Sequence, residues 1–222
     1  EIRIGATGST VITATQPGDG YWDPAAPVSV TCTVVKAPLL ITAENKTKVA
    51  GSPTPELTAI FSGLASWDTP ASLGGAPLLA TTANASTPKG TYPITAGLGG
   101  ITSANYEYRF ADGTLTVTGK TQSITPPVPV TMTYGDPPIA AGGSSNSGLP
   151  LAYTSTDPTV ATVVDGEIRP GTAGSTVITI SQTGDDFWDP ATPVTVPCTV
   201  VKARLTVVAE DKSRAYLTPN PE

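Results

Sequence analysis

The sequence predicts an all-β protein made of tandem β-sandwich modules arranged as an extended rod. Three observations carry that reading. Glycine (22) and proline (23) make up about a fifth of the 222 residues, and 37 threonines join them. Such a mixture suits many short strands broken by turns, with threonine at home on the half-wet face of a strand. Apolar and polar residues alternate at period 2 in several short stretches, and no window holds a sustained apolar stripe at period 3.6. The chain also repeats itself, which for a β-rich sequence points to stacked copies of one unit.

The repeat runs without a gap at an offset of 166 residues. EIRIGATGSTVITATQPGDGYWDPAAPVSVTCTVVKAPL, starting at Glu1, returns as EIRPGTAGSTVITISQTGDDFWDPATPVTVPCTVVKARL, starting at Glu167. Trp22 falls on Trp188, Cys32 on Cys198, Lys36 on Lys202 and Glu44 on Glu210, with 33 identities over 56 aligned positions. The period divides again: VVKA closes a strand at Val34–Ala37 and at Val200–Ala203, and TLTVTGK at Thr114–Lys120 lies about halfway. The expected organisation is therefore 1–36, the tail of a second-type module; 37–120, a first-type module; 121–202, a complete second-type module; and 203–222, the first strands of another first-type module. Both ends fall inside modules, as in a window cut from a longer array.

In the first-type module, Leu39, Ile41 and Ala43 alternate with Leu40, Thr42 and Glu44, and Tyr106, Tyr108 and Phe110 alternate with Asn105, Glu107 and Arg109. Both are period-2 strands. Ala111-Asp112-Gly113 between that second strand and Thr114–Thr118 reads as a three-residue hairpin turn. In the second-type module Thr176, Ile178 and Ile180 share one face, and Val194, Val196, Cys198 and Val200 share another. Pro197 places its strand at a sheet edge, or sits where its missing N–H is not needed. A sandwich of about 80 residues is small, yet buries enough to fold alone.

These residues resemble two families. APLLITAENKTKVAGSPTPELTAIFSG, GTYPITAG and NYEYRFADGTLTVTGK, spanning 37–120, resemble the MBG domain of bacterial surface proteins; Ala50-Gly51-Ser52 stands where that family has Tyr-Gly-Asp. MTYGDPP and YTSTDPTVATVVDGEIRPGTAGSTVITISQTGDDFWDPA, within 121–202, resemble the bacterial Ig-like domains of adhesins. The resemblance implies tandem Ig-like sandwiches in a long secreted or cell-surface protein, acting as stalks or adhesive units, with no catalytic residues to carry over.

Composition narrows the chemistry. There is no histidine, so no Ser-His-Asp or Cys-His arrangement and no imidazole ligand; the two cysteines are 166 residues apart and form no C-x-x-C site. The net charge is −6 and the twelve basic residues are scattered, which argues against nucleic acid. No run of eighteen apolar residues is present. No catalytic, cofactor-binding or metal-ligating set stands out, and the chain is expected not to be an enzyme.

Several residues still ask for a role. Asp185, Asp186 and Asp189 cluster in one loop, but calcium needs six to eight oxygens and Asp186 is Gly20 in the other copy, so a solvated loop is the simpler reading. Trp22 and Trp188 read as plugs at the end of a sandwich, with a sugar-stacking platform as the rival. Trp67, in SWDTPAS, is the better candidate for an exposed contact. Asn45 and Asn84 fit a glycosylation sequon, a short pattern that arises by chance. Lys36 and Lys202 read as solvated strand-end lysines rather than crosslinking groups. Cys32 and Cys198 should not pair, because an entire module separates them, and alternation puts each on the valine-rich face of its strand as a buried thiol. The expected partners are neighbouring repeats, with other chains in a fibre or a surface ligand as further possibilities; the alternative function is a glycan- or protein-binding module reading its ligand through the Gly63–Pro77 loop.

Overall fold

A computed structural model describes residues 5–217 and residue 219. Among them every regular element is a strand except one short 3-10 turn. The chain forms two compact units, Glu1–Lys120 and Thr121–Glu222.

The first unit opens with β1 (Gly8–Gln16) and β2 (Ala25–Val34), an antiparallel hairpin that is a sheet of its own. A sandwich follows, built from β3 (Ala37–Ala43), β4 (Lys46–Val49), β5 (Ala59–Ser62), the 3-10 turn Pro70–Leu73, β6 (Leu78–Ala80), β7 (Gly90–Gly97), β8 (Tyr106–Ala111) and β9 (Gly113–Thr118). One sheet runs β5-β3-β8 and the other β4-β9-β7-β6. The alternation read from sequence holds: Leu39, Ile41 and Ala43 are buried while Leu40 faces out. Leu39, Ile41, Leu73 and Tyr106 pack in one cluster, and each fully buried aliphatic side chain contributes roughly 1.5–3 kcal/mol.

Asp112 does not turn a hairpin. β8 pairs in parallel with β3, whereas β9 pairs in parallel with β4 and antiparallel with β7, so the chain changes sheets at this point. β3 and β4 make the same change beside it in one continuous register: Thr42 faces Ala111 and Lys46 faces Leu115, each 69 residues apart. Asn45 bridges the crossing, its Oδ1 accepting from the Thr114 amide at 2.8 Å. Gly113 is needed because a Cβ there would lie 2.5 Å from the Ala43 carbonyl oxygen. A glycine-ended three-residue turn looks the same in sequence whether it closes a hairpin or lets two backbones cross closely.

The second unit comprises β10 (Ile124–Thr125), β11 (Val130–Thr133), β12 (Ile139–Ala140), β13 (Ser144–Ser145), β14 (Ala152–Ser155), β15 (Ala161–Val164), β16 (Glu167–Pro170), β17 (Gly174–Ser181) and β18 (Val194–Val201). The main sheet is β11-β18-β17-β14; β12-β16-β15 and the short pair β10-β13 complete the unit. Met132, Ile178, Ile180, Val196, Cys198 and Val200 from the main sheet meet Ile124, Val160, Ala161 and Ile168 in one core. Pro197 is not on an edge strand, because β18 has neighbours on both sides. The other reading holds: pairing with β11 begins at Cys198, one residue beyond the proline, which is solvent-exposed.

The units share a device. In each, a strand pairs in parallel with the unit's last long strand, β4 with β9 and β11 with β18, and then turns sharply. Ala50 donates its amide to Thr118 at 2.8 Å, and Tyr134 donates to Val201 at 2.8 Å. The glycine of each turn is left-handed, φ +87° at Gly51 and +90° at Gly135. Asp136 locks the second turn by accepting the Thr133 amide through Oδ2 at 2.6 Å.

Residues 203–217 form no strand, and Leu205 and Val207 are 90% and 86% exposed. Their counterparts Leu39 and Ile41 are fully buried because they pack in the core cluster with Leu73, Ile101 and Tyr106. The remainder of the expected strands in 203–222, at 218 and 220–222, lies outside the described residues.

Candidate functional site

A groove of about 290 Å³ lies between the β1–β2 hairpin and the sandwich of the first unit. Val34 and Val35 of the chain leaving the hairpin line it, together with Ala37, Ala65, Trp67, Asp68, Asn105 and Tyr106 of the sandwich. The loop that carries Trp67 and Asp68 is held by short-range bonds. The Asp68 amide donates to the Ala65 carbonyl at 2.9 Å, and the Ser72 hydroxyl donates to the Thr69 carbonyl at 2.7 Å. Tyr106, on β8 and nearly fully buried, anchors it from below: its hydroxyl donates to Asp68 Oδ2 and accepts from the Ala65 amide at 3.1 Å. The Asp68 carboxylate raises the Tyr106 phenol above its ordinary pKa, and burial adds to the rise. Asn105 ties the hairpin to the same floor, its Oδ1 accepting the Thr7 amide at 3.2 Å. Trp67 is left 75% exposed at the rim, as expected of a contact residue.

The other residues singled out in the sequence have local explanations. Asp185 Oδ1 accepts the amides of Phe187 and Trp188, both at 2.8 Å, and Asp19 Oδ1 accepts those of Tyr21 and Trp22 at 2.8 and 3.0 Å. These carboxylates shape the loop. Among the described residues no group of three His, Cys, Asp or Glu is placed to hold a metal ion. Trp22 does not plug the hairpin, being 75% exposed, and Trp188 is half-buried. Asn45 and Asn84 accept backbone amides at Thr114 and Ser86, while Lys36 and Lys202 are solvent-exposed. Cys32 and Cys198 are both free thiols; Cys198 is fully buried and Cys32 half-buried. Burial raises the Cys198 thiol pKa, which lowers its reactivity.

Two polar assemblies had no signal of their own in the sequence. Lys48 is buried with its Nζ on the carbonyls of Ser52, at 3.0 Å, and Asn84. Gln122 and Gln182 are buried together: Gln122 Nε2 donates to Gln182 Oε1 and to the Asp189 carbonyl, while its Oε1 accepts the hydroxyls of Ser145 and Ser147. The retention of Gln16 opposite Gln182 in the repeat was the one available hint.

No helix among the described residues is long and apolar enough to cross a membrane. No curated protein matches the chain. Solved structures similar to it include Drosophila N-cadherin EC1-4, at 9% identity and TM-score 0.29, covering 90% of this chain and 60% of that one. Drosophila N-cadherin EC1-3 matches at 10% identity and TM-score 0.31, covering 77% of this chain and 70% of that one. The chain thus spans less than two thirds of the first of these. Residues 39–116, the sandwich of the first unit from β3 into β9, match the family model of the MBG domain (YGX type).

Proposed function

We propose that the chain is a structural and adhesive repeat segment of a long extracellular bacterial surface or fibre protein, in which MBG and Ig-like modules alternate as a stalk or filament unit. The observation that carries this is the hairpin repeated at 166 residues in one register: Gly8 faces Val34 as Gly174 faces Val200. A repeat kept at the level of strand pairing is what an array of like modules requires. The MBG match in 39–116 supports the reading, as does a sequence without histidine. The natural partners are then neighbouring repeats, without cofactor or metal. Proteins carrying one, two and three copies of the 166-residue period test it by small-angle scattering. The maximum dimension should rise by a constant step per copy, and a radius that grows only as a compact globule would defeat the stalk role.

A second reading, recognition of a glycan or protein through the Gly63–Pro77 loop, is favoured by the exposed Trp67 over a groove with Asp68 and Asn105 on its wall. Binding on a glycan array that is lost with Trp67→Ala would carry it.

A further inference from the structure

The β1–β2 hairpin presents an apolar face that none of the described residues covers. Val28 and Val30 on it are 65% and 59% exposed. Its counterpart in the second unit, β17–β18, pairs in the same register and is covered on that face and bordered on both edges. Most of the cover comes from one continuous stretch, 121–166, which supplies β11 with Met132 along one edge, β14 along the other, and Ile124, Val160 and Ala161 across the face, where Ile168 joins them. The two faces match residue for residue: Thr10, Ile12, Gln16, Val28, Val30, Cys32 and Val34 equal Thr176, Ile178, Gln182, Val194, Val196, Cys198 and Val200, and Ala14 alone replaces Ile180.

We infer that the β1–β2 hairpin is a docking face for a polypeptide segment of the 121–166 kind, which adds one strand to each edge and closes the apolar face. This goes beyond the array reading, because it makes recognition a property of the hairpin itself and not of chain continuity. Open strand edges beside an apolar face are the setting in which an added strand gains both hydrogen bonds and burial.

The polar groups give the face a specific address. Gln16 Oε1 accepts the Gly18 amide at 2.8 Å, as Gln182 accepts that of Gly184, so the side chain is already held in the orientation that receives Gln122. The loop behind it is the same in both copies: Asp19 donates its amide to Trp22 at 2.9 Å and Asp185 to Trp188 at 3.1 Å. Thr176 takes the Asp157 amide at 2.9 Å and meets the hydroxyls of Ser155 and Thr156, and Thr10 stands exposed in its place on β1. Two like hairpins meeting face to face would bury valines against valines but would leave Gln16 and Thr10 without these partners. The observations therefore favour the segment over a second hairpin.

The experiment uses the full chain and a cysteine-free peptide of residues 121–166 on a soluble carrier, with alkylation of each thiol followed by mass spectrometry. Saturating peptide should slow alkylation of Cys32 at least tenfold and leave Cys198 unchanged. Gln122→Ala in the peptide should weaken binding at least fivefold, and Ala14→Ile in the chain should tighten it. Val30→Asp, at a position already exposed, should abolish it without disturbing the rest of the fold. An unaltered Cys32 rate at millimolar peptide, binding indifferent to Val30→Asp, or Cys32 protection that appears without peptide as a dimer forms in sedimentation, would each overturn the inference. None of these outcomes bears on whether the maximum dimension grows with copy number, so the array reading stands or falls separately.

Discussion

The hairpins β1–β2 and β17–β18 are nearly one sequence in two settings. Both form, in one register, with a left-handed glycine at the same place in the loop, φ +78° at Gly18 and +76° at Gly184. What differs is burial: Val196 is 3% exposed and Val30 is 59% exposed. Pairing and loop shape are thus written in the hairpin, whereas its core is supplied by residues more than a strand away.

The thiols give the largest expected difference. Cys198 is fully buried, its thiol pKa raised by that burial, and it reacts only when the sheet opens. An opening that costs about 4 kcal/mol slows labelling roughly a thousandfold. In the chain alone Cys32, half-buried in a bare hairpin, should be alkylated roughly a thousandfold faster than Cys198. Equal rates in a quench-and-digest assay would mean that the first hairpin is covered in solution.

Side-chain truncation sharpens the contrast. Val196→Ala should destabilise the second unit by about 2 kcal/mol, the lost transfer energy plus a small cavity. Val30→Ala should change nothing by more than about 0.5 kcal/mol. Denaturant unfolding followed by Trp188 fluorescence reads the first, and Trp22 fluorescence the second. In the same way Gln182→Ala should cost about 1–3 kcal/mol, because it leaves the buried Gln122 amide short of an acceptor, while Gln16→Ala, which loses only the exposed bond from Gly18, should cost less than about 1 kcal/mol.

This asymmetry also marks what the sequence could reveal. Alternation named the inner face of β3, β17 and β18 correctly, because a half-buried strand must repeat every second residue. It had no means of naming the neighbour. β3 with β8, and β11 with β18, pair in parallel across about 69 residues, and parallel pairs leave no turn between them to read. The hairpin expected at Asp112 failed for that reason: the groups that decide it, the Ala43 carbonyl and the Asn45 side chain, lie far away in the chain. Trp67 was legible as exposed because its loop is rich in small and polar residues. The Asp68–Tyr106 bond beneath it was not, since the two residues are 38 positions apart.

Acid should weaken the second unit through one named carboxylate. Asp157 lies in the covering stretch, with Oδ1 accepting the Thr159 hydroxyl at 2.6 Å and its amide at 3.0 Å. The hydroxyl bond, then the amide bond, hold its pKa below the ordinary carboxylate value. A depressed folded pKa contributes stability that is present above about pH 4 and is lost as pH falls through the folded value. The second unit should therefore lose thermal stability below about pH 4 more steeply than an Asp157→Asn variant does. Parallel acid profiles for the two proteins would remove Asp157 from the account.

The smallest effects should be the ones that do not distinguish the copies. Asp19 and Asp185 make the same pair of loop hydrogen bonds, both at the surface, and neither depends on what covers the strands. Exposed bonds of this kind are worth about 0.5–1 kcal/mol. Asp19→Ala and Asp185→Ala should each speed exchange of the following tryptophan amide by about three- to fivefold, and by the same factor within twofold. Amide exchange followed by NMR at Trp22 and Trp188 measures both in one sample series. If Asp185→Ala acted strongly and Asp19→Ala not at all, the loop would owe its shape to the covered sheet behind it. Gln16 would then lose the preset orientation that fits it to receive Gln122, and the docking face would have to form its latch only as the segment arrives.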